Sequence, residues 1–177
     1  MRMTTGDVFL ERARYFLSTE YRTQLRLAVE ALPEDGLWWR ANAQSNSVGN
    51  LLLHLNGNVR QWILSGVGGQ PDIRHRASEF DARTGPPASA LLADLNRTLD
   101  EVDAVLARLT ENNLLEPRTI QGRDVTVLGA VFHVVEHFSQ HLGQIILIAK
   151  VLTPGAVNFH EDAAGLAKPL WEARIVR

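Results

Sequence analysis

A chain of 177 residues, 45% of them hydrophobic, is long enough to bury one core but short for two independent domains, so a single domain spanning residues 1–177 is expected. Its net charge of -2, with no stretch dense in Lys and Arg, argues against a nucleic-acid partner. The chain has no cysteine, which excludes disulfides, thiolate ligands and a cysteine nucleophile. The N-terminus becomes charged too early for a signal core, and no apolar run is long enough to span a bilayer. A cytoplasmic protein without a membrane partner is therefore expected.

Four segments of the sequence show the apolar spacing of amphipathic helices, and two of them lie in the N-terminal half. The first is predicted from about Asp7 to Leu32, where Pro33 and Gly36 end it. The second follows the cap-forming stretch 45–47 and continues to Gly66, a residue type that commonly ends helices. Each of these helices is expected to bury one face.

The C-terminal half is predicted to contain two more helices and a small β element. A long connection leads to Pro86 and Pro87, which suit the first turn of a third helix that continues to Leu109. The segment TIQGRDVTV alternates apolar and polar residues around a central Gly, which is typical of a β-hairpin. Thr126 then caps a fourth helix that ends near Val151. The predicted fold class is therefore all-α, with a possible short hairpin before the last helix.

The predicted fourth helix carries three histidines on one face. His133, His137 and His141 recur at every fourth residue, so each ring is offset from the previous one by only about 40°, and Gln144 continues the same line. Two histidines at this spacing can offer two ligands to one metal ion. The glutamate that a zincin protease requires is absent. The stretch HVVEH does match the inverted H-x-x-E-H pattern, but so short a pattern often matches by chance.

Two interpretations of this histidine stripe are compatible with its spacing. In the first, the helix is simply amphipathic and its histidines are half exposed. In the second, the histidines are metal ligands. The helix is apolar around most of its circumference between Val127 and Leu147, so its histidines would be desolvated unless they were neutral and paired with a partner such as a cation. The cost of desolvating these histidines therefore favours metal ligation, although spacing alone does not rank the 133/137 pair against the 137/141 pair.

His54 is the candidate for a third ligand, and it lies in the predicted second helix. Its face also carries Asn50, Asn58 and Gln61, a polar stripe beside the apolar side of the helix. A single histidine at such a boundary is usually an ordinary surface residue. In a helical bundle, however, metal sites draw their ligands from facing helices. Three histidines with an open fourth position form the catalytic pattern, whereas four protein ligands form a structural one.

Three sequence segments together resemble the DinB-like (YfiT-like) superfamily of metal-dependent enzymes, in particular a subgroup whose function is not established. These segments are SVGNLLLHLNGNVRQWILSGVGG, the RHRASEF that follows it, and HVVEHFSQHLGQII. The resemblance covers most of the chain and implies an up-down-down-up four-helix bundle that is often dimeric. It also implies a divalent cation bound by His54, His137 and His141, with His133 one turn earlier in a less defined role. Some proteins of this superfamily are transferases or isomerases that act with a low-molecular-weight thiol.

These observations lead to two hypotheses of different classes. The first is an enzyme that holds one divalent ion per chain, zinc or nickel, and activates water or a low-molecular-weight thiol for hydrolysis or S-transfer on a small-molecule substrate. The second is a non-catalytic bundle that stores or senses a metal or is stabilised by it. In the first hypothesis Glu136 is the candidate proton shuttle. The candidate pocket or ligand-supporting residues are His133, Asn50, Asn58, Gln61, Arg76 and Gln144.

A homodimer is also expected. The fourth helix is apolar on nearly every side, yet a helix in a small bundle has at least one outward face, which then needs a partner surface.

Overall fold

The computed structural model describes residues 2–163 and 165–170, so Met1, Ala164 and residues 171–177 of the expected domain lie outside the described part.

The first predicted helix is present as one continuous helical segment. Helix α1 (Thr5–Tyr15) passes through a π-helical turn (Phe16–Glu20) into α2 (Tyr21–Glu30). The beginning of α1 and the end of α2 each lie within two residues of the predicted ends.

The second predicted helix is also present and occupies the centre of the molecule. Helix α3 (Val48–Val59) continues through a π-helical turn (Arg60–Ser65). Ser47 begins α3 with a capping box: its hydroxyl accepts a hydrogen bond from the Asn50 amide at 3.2 Å, and the Asn50 side chain accepts one from the Ser47 amide at 3.1 Å. Because α3 contacts both α5 (Ala88–Leu106) and α6 (Val127–Leu152), most of its side chains are buried.

The connection after α3 contains a short helix that the sequence did not predict. Helix α4 (Arg76–Asp81) lies against α3. A helix of six residues is too short to show a periodic pattern, and its stability comes from tertiary contacts rather than propensity. Pro87 is the N-cap of α5, so the two prolines precede the first turn of this helix and do not form it as predicted.

The predicted hairpin before the last helix is confirmed. Strands β1 (Pro117–Ile120) and β2 (Arg123–Thr126) pair antiparallel through the two-residue turn of Gln121 and Gly122. Both turn residues have positive φ, at 54° and 71°, as a two-residue hairpin turn of type I′ requires. Thr126 then caps α6 as predicted, since its hydroxyl accepts a hydrogen bond from the Gly129 amide at 3.1 Å.

A second antiparallel pair follows α6 and was not predicted. It consists of β3 (His160–Ala163) and β4 (Leu166–Pro169). The two strands read HEDA and LAKP, which lack the alternation of apolar and polar residues that marks a half-buried strand. Phe159, immediately before β3, is buried.

The described chain is mostly helical with two small strand pairs, which confirms the predicted class in its coarse form; the up-down-down-up order of the bundle stays a prediction. One apolar cluster joins α1, α2, α3, α5 and α6. None of the helices in the described ranges combines the length and apolarity needed to cross a membrane. For the function, the important consequence is that α3 and α6 face each other and carry the candidate ligands on their contacting sides. The largest fully buried side chains of the core include Leu17, Leu25, Leu51, Leu55, Leu95, Leu99, Phe138 and Ile145.

Candidate metal centre

The structure brings His54 of α3 together with His137 and His141 of α6. One ring nitrogen from each histidine lies within 4.8 Å of the other two. His54 is buried, and the two histidines of α6 are half-buried. The ring centroids of His54 lie 4.9 Å from those of both His137 and His141, and the latter two are 4.5 Å apart. Residues separated by more than eighty positions in the sequence therefore form one cluster of imidazoles.

The positions of the nitrogen atoms fit a metal ion. The Nε2 atoms of His54 and His137 face each other at 3.1 Å. Two nitrogen ligands of one tetrahedral zinc ion lie roughly 3.3 Å apart, given Zn–N bonds of about 2.0–2.1 Å. The Nδ1 atom of His137 is buried and has no hydrogen-bond partner among the described residues. The spacing of the two Nε2 atoms is therefore the feature that fits a metal ion.

The electrostatic environment keeps the two imidazoles of α6, His137 and His141, in the form that binds metals. Burial lowers the pKa of His137 to about 3, and the neighbouring His141, His54 and His133 act in the same direction. Burial also lowers the pKa of His141, an effect that its hydrogen bond with Gln144 opposes. Neutral imidazole is the metal-binding species, because its free nitrogen carries a lone pair. At neutral pH, therefore, neither ring needs to lose a proton before it can ligate.

A buried ion pair between Arg74 and Glu79 contacts Nδ1 of His54. This ion pair behind His54, on the side away from the cluster, was not predicted from the sequence. Nδ1 of His54 lies 2.8 Å from Oε2 of Glu79, and Arg74 donates to both carboxylate oxygens of Glu79, at 2.7 and 2.8 Å. Burial by itself raises the pKa of Glu79, but the hydrogen bonds from Arg74 and His54 outweigh it and hold that pKa below its usual range. The carboxylate is therefore ionised at neutral pH and can orient a ligand histidine.

The only sequence signal for this ion pair was the segment RHRASEF, which carries both residues. Arg76 was the residue predicted from this segment to support the site. It is exposed, and its guanidinium lies 4.8 Å from the centroid of the Phe80 ring. Phe80 in turn packs against the ring of His54, with centroids 4.6 Å apart. The burial of Arg74 and Glu79 could not be read from the segment, because it depends on how α4 lies across α3.

Three of the predicted supporting residues lie close to the cluster in defined roles. Gln144 is hydrogen bonded to Nδ1 of His141 at 2.8 Å, which leaves the other nitrogen of that ring available. Gln61 accepts a hydrogen bond from Arg74 at 2.9 Å and so contacts the ion pair behind His54. Asn50 is the capping residue of α3, and its amide also donates to the main-chain oxygen of Glu79 at 2.8 Å.

His133 and Asn58 lie one turn away from the cluster. The ring of His133 contacts that of Trp62, with centroids 4.0 Å apart, and its Nε2 lies 3.4 Å from the Asn58 amide nitrogen. Burial lowers the pKa of His133, and the charge of Glu136 opposes that shift. Glu136 itself is exposed on α6. His133 is thus separate from the three converging histidines, and Glu136 lies outside the buried cluster.

Comparison with solved structures shows the same fold in a bacterial protein. A DinB-like protein, YjoA from Bacillus subtilis, is similar to this chain with a TM-score of 0.62 and 21% sequence identity. The similarity covers 83% of this chain and 94% of that one. It confirms the DinB-like fold that the sequence segments predicted. No curated protein matches the sequence significantly.

A protein-family model matches most of the chain. The family model that matches is described as a protein of unknown function, DUF1572, and it matches residues 4–159. These residues include the three converging histidines and the ion pair behind His54. The chain therefore belongs to the DUF1572 family.

Proposed function

We propose that this protein is a metal-dependent enzyme in which His54, His137 and His141 hold one divalent ion, zinc or nickel. The observation that carries the proposal is the convergence of one nitrogen from each of the three rings within 4.8 Å. The depressed pKa of His137 and His141 supports it, since both rings are ready to ligate at neutral pH. Imidazole is a ligand that suits zinc and nickel.

The number of ligands supports a catalytic role over a structural one. Within the described ranges, the converging group contains three residues that could hold a metal ion. Structural zinc sites are usually closed by four protein ligands, whereas catalytic sites keep a position open for water or substrate. The cation, when bound, would supply the Lewis acidity that activates water or a low-molecular-weight thiol for hydrolysis or S-transfer.

A cavity lined by Gln144, although by none of the three histidines, is the proposed space for a small-molecule substrate. It has a volume of about 360 Å³ and borders Gln144, the residue hydrogen bonded to His141. Its wall also includes Trp39, Gln44 and Leu147, so it offers both apolar and polar contacts. Ligand sites in proteins commonly have this size and mixed lining. Glu136 is the proposed proton shuttle, because its exposed carboxylate can exchange protons with solvent and its charge acts on His133, one turn from the cluster.

Cobalt substitution tests both the metal site and its open position. The purified protein is stripped with a chelator, loaded with Co²⁺, and titrated with cysteine or glutathione while its visible and near-ultraviolet spectra are recorded. We expect about one Co²⁺ per chain and a new charge-transfer band when a thiol is added. A protein that takes up no zinc, nickel, manganese or cobalt would overturn the proposal. A cobalt spectrum that neither thiols nor azide change would favour a non-catalytic metal-binding bundle.

The reaction class is tested with a panel of electrophiles. Zinc-loaded protein is incubated with activated esters, epoxides and alkyl halides, with and without a low-molecular-weight thiol. Turnover that requires the thiol indicates S-transfer, and turnover without it indicates hydrolysis. Activity should be lost in His54→Ala and retained in His75→Ala, since His75 is an exposed residue at the start of α4.

A further inference from the structure

We propose that Glu79, clamped by Arg74, is the positioning residue that fixes the tautomer and orientation of His54. We propose also that glycine at position 57 is what allows this carboxylate to reach His54. The effect of Glu79 on metal affinity rests on the proposed function; its effect on the His54 tautomer does not.

The contact between Glu79 and His54 determines which ring nitrogen carries the hydrogen. An ionised carboxylate can only accept hydrogen bonds, so the 2.8 Å contact of Oε2 with Nδ1 of His54 places the hydrogen on that nitrogen. Nη2 of Arg74 also lies 3.1 Å from this Nδ1, but it makes its shorter hydrogen bond to Oε2, at 2.8 Å. The lone pair of His54 then lies on Nε2, the atom that faces His137. The two side chains are 5% and 9% exposed, so water competes little for this hydrogen bond. Glu79 thus leaves His54 with its lone pair on the side of the cluster.

Arg74 holds the carboxylate of Glu79 in one position. Its Nε donates to Oε1 at 2.7 Å and its Nη2 to Oε2 at 2.8 Å, which is a bidentate arrangement. The side chain of Arg74 is only 4% exposed. Its Nη1 donates to Gln61, which is also hydrogen bonded to Asp72 and Gln121. Moving the carboxylate away would leave a buried guanidinium unpaired, and such a state is strongly disfavoured.

The main chain around Glu79 is fixed against α3 as well. The side-chain amide of Asn50 donates to the main-chain oxygen of Glu79 at 2.8 Å and to that of Ala82 at 2.9 Å. Arg40 donates to the same Ala82 oxygen at 2.9 Å. Because Asn50 lies in the first turn of α3, one turn before His54, these bonds set the position of α4 relative to the histidine. The carboxylate therefore approaches His54 from a supported backbone.

Gly57 lies where the Glu79 carboxylate crosses α3. A Cβ atom at this position would lie 2.1 Å from Oε1 of Glu79 and 3.0 Å from Nε of Arg74. The first distance is far shorter than any contact that real atoms make, so a side chain here would displace the carboxylate. Glycine is a poor helix former, and its occurrence inside α3 is explained by this close approach.

Four variants separate positioning from general folding. Glu79→Ala removes the carboxylate, and Glu79→Gln keeps an oxygen that can accept from Nδ1. Gly57→Ala keeps the Glu79 carboxylate in the protein but displaces it from His54. Gly129→Ala is the matched control, because a Cβ there meets its nearest atom at 3.4 Å, an ordinary contact. Thermal melting of the metal-free variants reports whether each one folds. If neither Glu79→Ala nor Gly57→Ala folds, the tautomer of His54 in the wild type still decides the proposal.

The first readout is the tautomer of His54 in the metal-free protein, measured by two-dimensional NMR that correlates ring ¹⁵N with ring protons. We expect hydrogen on Nδ1 in the wild type, Glu79→Gln and Gly129→Ala. We expect loss of that single tautomer in Glu79→Ala and Gly57→Ala. Hydrogen on Nε2 in the wild type would overturn the proposal, whether or not the protein binds metal.

The second readout is zinc affinity, measured by competition with a chromophoric chelator. Glu79→Ala and Gly57→Ala should bind zinc about 10–100-fold more weakly than the wild type, which is the usual cost of removing a group that supports a ligand histidine. Glu79→Gln should lose less, and Gly129→Ala should match the wild type. Wild-type affinity in folded Glu79→Ala and Gly57→Ala would overturn the positioning role. A wild type without zinc affinity would instead contradict the proposed function, and the tautomer measurement would still decide this proposal.

Discussion

His137 is the central ring of the histidine cluster. It lies between His133 and His141 on α6, with ring centroids 5.3 and 4.5 Å away, and it faces His54 across the helix interface. Spacing along the helix makes the 133/137 and 137/141 pairs equivalent. The structure separates them, because the ring of His141 lies 4.9 Å from that of His54, whereas His133 contacts Trp62. The choice between the pairs therefore depends on where α3 crosses α6.

Substitution of single histidines tests this choice. His54→Ala, His137→Ala and His141→Ala should each weaken zinc binding by on the order of a hundredfold or more, above the range typical for groups that only support a ligand. His133→Ala should keep one zinc per chain and change its affinity by less than about tenfold. Isothermal titration calorimetry of the four variants is the measurement.

His75→Ala is the control for that titration, since His75 is exposed and lies at the start of α4. If His133→Ala abolishes binding while His141→Ala retains it, the site lies one helical turn earlier than proposed.

At the scale of elements, the outward face of α6 carries exposed apolar residues towards both ends, with the exposed polar residues Glu136, Ser139 and Gln140 between them. Leu128, Phe132, Leu147 and Val151 are 37%, 58%, 64% and 58% exposed. They are arranged symmetrically: the pair 128/151 and the pair 132/147 are both centred on the peptide bond between residues 139 and 140. An antiparallel contact between two copies of α6 about a two-fold axis at this point would place Phe132 of one copy on Leu147 of the other. This self-complementary arrangement supports the predicted homodimer.

The predicted dimer is tested by placing a charge in one of its apolar contacts. Phe132→Glu should dissociate the protein into monomers, because two buried carboxylates would replace an apolar contact across the two-fold axis. Multi-angle light scattering at micromolar concentrations measures the mass. Ile73→Glu is the matched control, since Ile73 is 69% exposed but lies in the connection after α3 and not on α6. A wild type that is monomeric over this concentration range would contradict the prediction.

For the whole molecule, the half-buried histidines of α6 make the metal-free fold sensitive to acid. An unfolded histidine has a pKa of 6.5, whereas burial lowers that of His137 in the folded protein to about 3. Between these values the unfolded chain binds a proton that the folded protein does not. The free energy of unfolding therefore falls as pH decreases through this window, and the contribution of His137 is fully present only above pH 6.5. His133 and His141, whose pKa values are also lowered, act in the same direction.

We expect urea denaturation of the chelator-treated protein to show a steady loss of stability from pH 7 to pH 5, before most carboxylates titrate. His137→Gln should show a shallower loss over the same range, because one of the groups that takes up a proton on unfolding is absent. His75→Gln should follow the wild type. Equal pH dependence in the wild type and His137→Gln would show that the ring is not kept neutral by burial.

Local sequence determined the helices and their boundaries to within a few residues. Capping by Ser47 and Thr126 depends on contacts three residues away, and the Gln121-Gly122 turn depends on its own φ angles, so these features can be read from the chain. The candidate ligands could also be predicted from the sequence, because the three histidines of α6 share one face and the resemblance to DinB-like proteins identified His54.

The tertiary structure alone decided which side chains meet. The α4 helix, the burial of Arg74 and Glu79, and the separation of His133 from the cluster arise where α3 contacts α4 and α6. Arg74 and Glu79 are residue types that are normally solvated, and nothing in their spacing distinguishes them from the exposed Arg76. Their burial is stable only because each satisfies the other, and the meeting of two segments separated along the chain cannot be read from either segment by itself.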